Sequence, residues 1–304
     1  MSPTHKTVLI TGCSTGIGAS LVRTFASHIN PKTTVYATAR NLSSLKQFAD
    51  LPNVHCFALD VTSTVSVQAC VEAVEKHILS TSKEHGNENG SGGLDYVINN
   101  AGMGYDMPVL DIDIEEAKKV YETNVWGVLR VVQGVSGMLV KAHGTVVVVG
   151  TAFAWMSWPF KAVYSTSKAS TTLLAETLRL ELAPLGVNVL TIATTGIASN
   201  FLGKLADSKL PPTSLYREIE TQFRSSAVMS GTELMATDKY TAQVVEDVLG
   251  GKKGIVWRGA SAFAARLAVA GWLPQWVVVS TPFFFICFLF LGYGTFGGLL
   301  LGKG

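Results

Sequence analysis

Tyr164 and Lys168 stand four residues apart in YSTSK, inside a stretch whose apolar pattern predicts a helix. That spacing puts a phenol and an ammonium on one helix face, pointing into the same space. A free tyrosine titrates near 10 and is a poor acid–base group at neutral pH. A neighbouring lysine cation favours the phenolate and lowers that value. Such a phenol can exchange a proton with an oxygen whose carbon gains or loses hydride. Alone, the pair is also what a solvated helix surface looks like. Its chemistry depends on the motifs around it.

TGCSTGIG, Thr11 to Gly18, directly follows the first predicted strand and directly precedes the first predicted helix. Gly12, Gly16 and Gly18 allow a tight turn and a close approach of backbone to a pyrophosphate. The helix behind them offers unpaired N–H groups and the positive end of its dipole. The second strand closes on VYATAR, ending at Arg40. An acidic residue here suits the ribose hydroxyls of NAD; an arginine pairs instead with the 2′-phosphate of NADP. Arg40 therefore favours NADP(H). NNAG, Asn99 to Gly102, follows the fourth strand. Asn and Gly suit a strand end where a ligand nears the backbone, and ligands bind outside the carboxyl ends of parallel strands. An oxidised nicotinamide ring beside Tyr164 would lower its pKa further.

TGxxxGxG, NNAG and YxxxK, in that order over about residues 6–257, resemble the short-chain dehydrogenase/reductase family. The resemblance implies a cofactor site made of Ile10, Gly12, Ser14, Thr15, Gly16, Ile17, Gly18, Arg40, Asp60, Val61, Asn100, Ala101, Gly102, Tyr164, Lys168, Gly196, Ile197 and Ser199. In that family the Asp60-Val61 position meets the adenine ring, Asn100 lies near the adenosine ribose, and Lys168 hydrogen-bonds the nicotinamide ribose. Thirteen residues before the tyrosine the family has a serine that polarises the substrate carbonyl. Here it is Thr151, which keeps the hydroxyl but adds a methyl and stiffens χ1. Ser157 is a weaker candidate for that role. Asn124, in TNVWG, matches an asparagine that kinks a helix and holds a proton-relay water; mid-helix Asn is otherwise disfavoured. After the sixth strand Thr195 replaces the family's proline before Gly196. A looser similarity points to the fungal branch near 1-acyldihydroxyacetone-phosphate reductases.

Positioning these groups requires alternating strands and helices. Strands are predicted at Thr7–Ile10, Thr34–Thr38, Val54–Leu59, Leu94–Ile98, Thr145–Val149, Asn188–Ile192 and Ile255–Trp257. Most are continuously apolar, as strands covered on both faces are. Helical patterns fill Ile17–His28, Val65–Leu79, Ile114–Lys141, Ala162–Leu185 and Ala242–Leu249. The expected fold is α/β, a doubly wound Rossmann sheet of seven parallel strands, followed by a C-terminal hydrophobic membrane segment. The reductase domain spans 1–258, with 199–231 a variable substrate-side segment; Ser80–Gly93 reads as a polar loop. The tail, 259–304, contains a stretch from Leu267 to Gly302 with no Asp, Glu, Lys or Arg, long enough to cross a bilayer or to dip into one leaflet.

The chain has 304 residues, a formal charge of +2 and 15% charged residues, which argues against a nucleic-acid partner. A hydrophobic share of 48% excludes a largely disordered chain. Cys13, Cys56, Cys70 and Cys287 are too scattered for a disulfide framework or zinc site, and none of the six histidines has metal-ligand spacing, so no metal is expected. MSPTHKTVLITG carries no secretory pattern. Lys252, Lys253, Arg258 and Arg266 precede the tail and only Lys303 follows it, so the positive-inside tendency places the enzyme domain in the cytosol, on endoplasmic reticulum or lipid droplet. The expected activity is NADPH-dependent reduction of a ketone or aldehyde on a lipid-, steroid- or polyketide-like substrate, or the reverse oxidation. Phe153, Trp155, Trp158, Phe160 and Phe201 are candidates for its apolar pocket, and a homodimer is possible in this family. A non-redox cofactor-binding or cyclisation-assisting protein on the same scaffold is the alternative.

Overall fold

The computed structural model describes residues 5–28, 32–84, 92–199, 209–227 and 234–270. Its strands are β1 Lys6–Ile10, β2 Thr33–Ala39, β3 Val54–Ala58, β4 Tyr96–Asn99, β5 Thr145–Val149, β6 Asn188–Thr194, β7 Ile197–Ala198, β8 Met235–Ala236 and β9 Gly254–Arg258. Seven of them form one parallel sheet in the order β3-β2-β1-β4-β5-β6-β9, and β7 pairs with β8 separately. The helices are α1 Gly16–Ser27, α2 Thr64–Glu84, α3 Ile114–Tyr121, α4 Gly127–Ala142, α5 Ala162–Leu182, α6 Glu220–Ala227, α7 Thr237–Leu249 and α8 Ala262–Val269.

The alternation of side chains along each strand explains the layering. Val8 and Ile10 of β1 join Leu21, Val22 and Phe25 of α1 and Val244 and Val248 of α7. Leu9 between them turns to the opposite face, with Val74, Val131, Val135, Leu139 and Leu178 of α2, α4 and α5. Both faces are covered, so every residue of β5, TVVVV, is buried. The chain winds outward through β1, β2 and β3, then returns to β4 beside β1 and winds the other way. The crevice beyond the ends of β1 and β4 is the topological switch point where such folds bind ligands.

The expected elements are present, with three differences. The predicted helix over Ile114–Lys141 is interrupted by a π-helical turn at Glu122–Trp126. Helix α2 runs to Glu84, into the stretch read as loop, and α7 begins at Thr237 rather than at Ala242. Apolar periodicity locates a helix's buried face; it does not register an extra residue per turn or a polar end.

A third, small cluster lies on the substrate side. Phe160, Leu210, Ile219 and Phe223 pack together with Met107 and Tyr216 against them. It ties the loops after β4 and β5 to segment 209–227.

Among the described residues one helical run, Ile114–Ala142, is long and apolar enough to cross a membrane. Its apolar side packs on the sheet through Val131, Val135 and Leu139, which marks it as a core helix. The membrane tail expected at 259–304 begins with α8 and is described as far as Ala270; its remainder, residues 271–304, lies outside the described residues, as does Phe201.

Candidate active site

The glycine loop is held by Thr11, a residue whose role the sequence does not announce. Its hydroxyl accepts from the backbone N–H of both Asn100 and Ala101, each at 3.0 Å. The Asn100 amide donates in return to the carbonyls of Thr11 at 2.9 Å and Gly12 at 3.2 Å. TG and NNAG are thus stitched together across the switch point. The packing leaves no room for side chains. A Cβ on Gly18 would lie 2.2 Å from the Gly12 oxygen, and one on Gly12 would lie 2.8 Å from Ala101 Cα. Gly12 and Gly16 also have φ of 73° and 60°, a region that favours glycine.

Thr15 caps α1 without a side-chain bond, and the first turn carries no acid. The N-terminal N–H groups of α1 and its dipole are therefore available to an anion. Ser199 faces this loop from the end of β7: a Cβ on Gly16 would lie 3.8 Å from Ser199 Cβ. Arg40 is exposed at the end of β2. It lies close enough to Asp60 to help lower that carboxyl's pKa. Burial works against the charge on Asp60, but bonds from the Thr62 N–H (2.9 Å) and hydroxyl (2.7 Å), with the Arg40 field, outweigh it. Val61 is buried under α4, where a Cβ on Gly127 would meet it at 2.8 Å. An uncapped, acid-free helix end with a cation on one side fits a phosphorylated dinucleotide. Ile10, Ser14, Ile17, Gly196 and Ile197 lie on the same rim of strand ends and loops.

Tyr164 and Lys168 are both on the first turns of α5. Thr151 follows β5 and is buried, with its hydroxyl close enough to the Tyr164 phenol to act on its pKa. Ser157 is exposed in the following loop, which leaves Thr151 as the hydroxyl partner of Tyr164. The Lys168 ammonium donates to the Val149 carbonyl at 3.0 Å. Gly102 is adjacent: a Cβ there would lie 3.6 Å from Lys168 Nζ and 3.5 Å from Asn124 Oδ1.

The acidity expected for Tyr164 is not what the protein environment provides. Burial pushes the phenol above its ordinary value, the Thr151 hydroxyl opposes this, and the charge on Asp106 adds to the rise. Burial also lowers Lys168, to about 8. Spacing and motif order place the two groups together, but desolvation is not visible in either. A neutral phenol is the proton-donating form, which suits reduction.

Asn124 sits in the π turn and is fully buried. Its Oδ1 accepts from the Met103 N–H at 2.8 Å, and its Nδ2 donates to the Met103 carbonyl at 2.9 Å and the Ser167 hydroxyl at 3.0 Å. Its carbonyl accepts from the Thr171 hydroxyl at 2.7 Å. Asn124 thus fixes the loop after NNAG to the helix that carries Tyr164. The turn after β6 survives the loss of proline: Thr195 donates its N–H to the Arg258 carbonyl at 2.9 Å and its hydroxyl to Ala260 O.

A buried ion pair also escapes the sequence. Asp106 Oδ2 meets Lys161 Nζ at 2.5 Å, both side chains almost fully enclosed, while Met107 N–H donates to the Phe160 carbonyl at 2.8 Å. Together they clamp the loop after NNAG to the start of α5. The partners are 55 residues apart, so no local pattern joins them.

Fold and site together define a class, an oxidoreductase that works with a bound dinucleotide. The comparisons narrow it. The family model for short chain dehydrogenases matches residues 6–210. Short-chain dehydrogenase PC-15 of Penicillium crustosum is 37% identical over 270 residues, covering 88% of this chain and 93% of that protein. An NADPH-dependent 1-acyldihydroxyacetone phosphate reductase of Schizosaccharomyces pombe is 35% identical over 217 residues, covering 70% and 68%. A short chain dehydrogenase from Burkholderia cenocepacia, solved in complex with NADP, superposes with a TM-score of 0.69 at 23% identity, covering 93% of this chain and 99% of that one. This chain belongs to the short-chain dehydrogenase family.

Proposed function

We propose that this enzyme uses NADP(H) to reduce a ketone or aldehyde on a hydrophobic lipid-, steroid- or polyketide-like substrate, or to oxidise the matching alcohol. The observation that carries it is the buried Thr151 hydroxyl beside the phenol of a half-buried, neutral Tyr164, which shares α5 with Lys168. NADPH supplies the hydride when bound. Tyr164 gives its proton to the carbonyl oxygen, so that C=O becomes CH–OH. Thr151 donates to the same oxygen and offsets its developing charge. Lys168 keeps a cation within the crevice, and Asn124 holds the loop after NNAG against α5. Gly12, Gly16, Gly18 and the α1 N-terminus seat the pyrophosphate, with Arg40 on the 2′-phosphate.

The apolar substrate is supported by Phe153 and Trp158, whose rings lie 5.8 Å apart, by Trp155, and by the cluster around Phe160 and Phe223. The names of the Schizosaccharomyces pombe and Saccharomyces cerevisiae relatives, reductases of an acylated ketone, point the same way. Membrane attachment through the charge-free run from Leu267 to Gly302 belongs to this reading and rests on sequence. The non-redox alternative draws on Thr151 and Thr195. Thr151 keeps its hydroxyl beside Tyr164 and Thr195 keeps its turn closed, so neither favours it.

The test is incubation with an organic extract of the source cells and NADPH, followed by mass spectrometry. A component that gains two hydrogens with the wild type and not with Tyr164→Phe supports the proposal. NADPH binding without any such gain overturns it.

A further inference from the structure

We propose that the face formed by β9 and α8 docks on an anionic lipid surface, next to the loop that follows Thr151. This deepens the membrane reading above but uses different residues from the tail. β9 is the edge of the sheet. Between it and α8 lies a groove of about 410 Å³, lined among others by Ile255, Trp257 and Phe263 and by Lys252, Arg258 and Arg266. No acidic residue lines it. Asp247 pairs with both Lys252 and Arg258 at 2.7 Å, so one carboxylate answers two cations. Lys253 and Arg266 are exposed beside them.

Helix α8 has no buried residue, and Phe263 is 76% exposed. An aromatic ring beside several cations is the composition of a surface that sits in a headgroup layer. Two things select lipid over a peptide or a second copy. The charge excess is positive, matching anionic headgroups. The chain beyond Ala270 runs without a charged residue as far as Lys303. The face also adjoins the catalytic loop: the Trp257 ring lies 5.1 Å from the ring of Trp155. An apolar substrate leaving the bilayer at this face would meet the loop carrying Trp155 and Trp158.

The full-length protein is labelled at Ala264→Cys with an environment-sensitive dye, in a Cys56→Ser, Cys287→Ser background. It is reconstituted with phosphatidylcholine vesicles with or without 30% phosphatidylserine, each containing shallow spin-labelled lipid. Docking predicts quenching in phosphatidylserine vesicles that is lost in 0.5 M salt. In Lys253→Gln, Arg266→Gln the docked share should fall, at about fivefold per cation. Equal quenching in both vesicle types, or quenching unchanged in the double variant, overturns the proposal, as does an absence of quenching accompanied by an interchain disulfide when the unlabelled Ala264→Cys protein is treated with a mild oxidant. Flotation in high salt reads the tail alone, and NADPH oxidation with a soluble ketone reads the active site alone, so failure of either earlier reading shows separately.

Discussion

The Thr151 hydroxyl lies beside the Tyr164 phenol, one just past the end of a strand and the other on the first turn of a helix. That placement makes the threonine a working partner for the proton donor. Thr151→Ser should keep most of the turnover number, because the hydroxyl remains. Thr151→Val should lower it about 10- to 100-fold, and Tyr164→Phe by about 100-fold or more, since positioned proton transfer contributes about 10²–10⁴-fold. NADPH fluorescence titration should show cofactor binding retained in all three.

Arg40 ends β2, exposed and within the field of Asp60. Arg40→Asp should raise the NADPH dissociation constant about 10- to 100-fold, the range of a lost hydrogen bond to a charged group. NADH should then become the better cofactor. Parallel titration with the two dinucleotides checks this, and an unchanged ratio would remove Arg40 from the site.

Gly18→Ala places a Cβ 2.2 Å from a backbone carbonyl and 2.5 Å from the Asn100 amide. The carbonyl is backbone, and the Asn100 amide is held by its bonds to Thr11 and Gly12, so the glycine loop and NNAG must separate. A loss of about 1–3 kcal/mol is expected from the overpacking. Thermal unfolding should show a lower Tm, and NADPH should no longer restore it.

Burial lowers Lys168 to about 8 from an unfolded value of 10.5. Between these two values the unfolded chain holds more protons than the folded one, so this group's contribution to stability rises with pH there. Activity runs the other way. The free enzyme loses the ammonium as pH passes about 8, so kcat/KM for reduction should fall above that pH. Lys168→Arg, which keeps its charge, should move that limb well upward. A falling limb unchanged in Lys168→Arg would assign it to another group.

The order of motifs and the alternation of apolar runs were enough, in the sequence, to give the sheet, the cofactor loop and the Tyr–Lys pair. These are local signals: glycines at a strand end, β-branched runs covered on both faces, and one helix period between Tyr164 and Lys168. What needed the tertiary structure was every relation between residues far apart in the chain. Thr11 could be seen as a partner of Asn100 and Ala101 only once β1 lay beside β4. Asp106 meets Lys161, and Asn124 meets Ser167 and Thr171, for the same reason. The raised phenol and the lowered ammonium follow from how much protein surrounds them. Spacing along a chain fixes which groups share an element; only packing fixes which are desolvated and which meet.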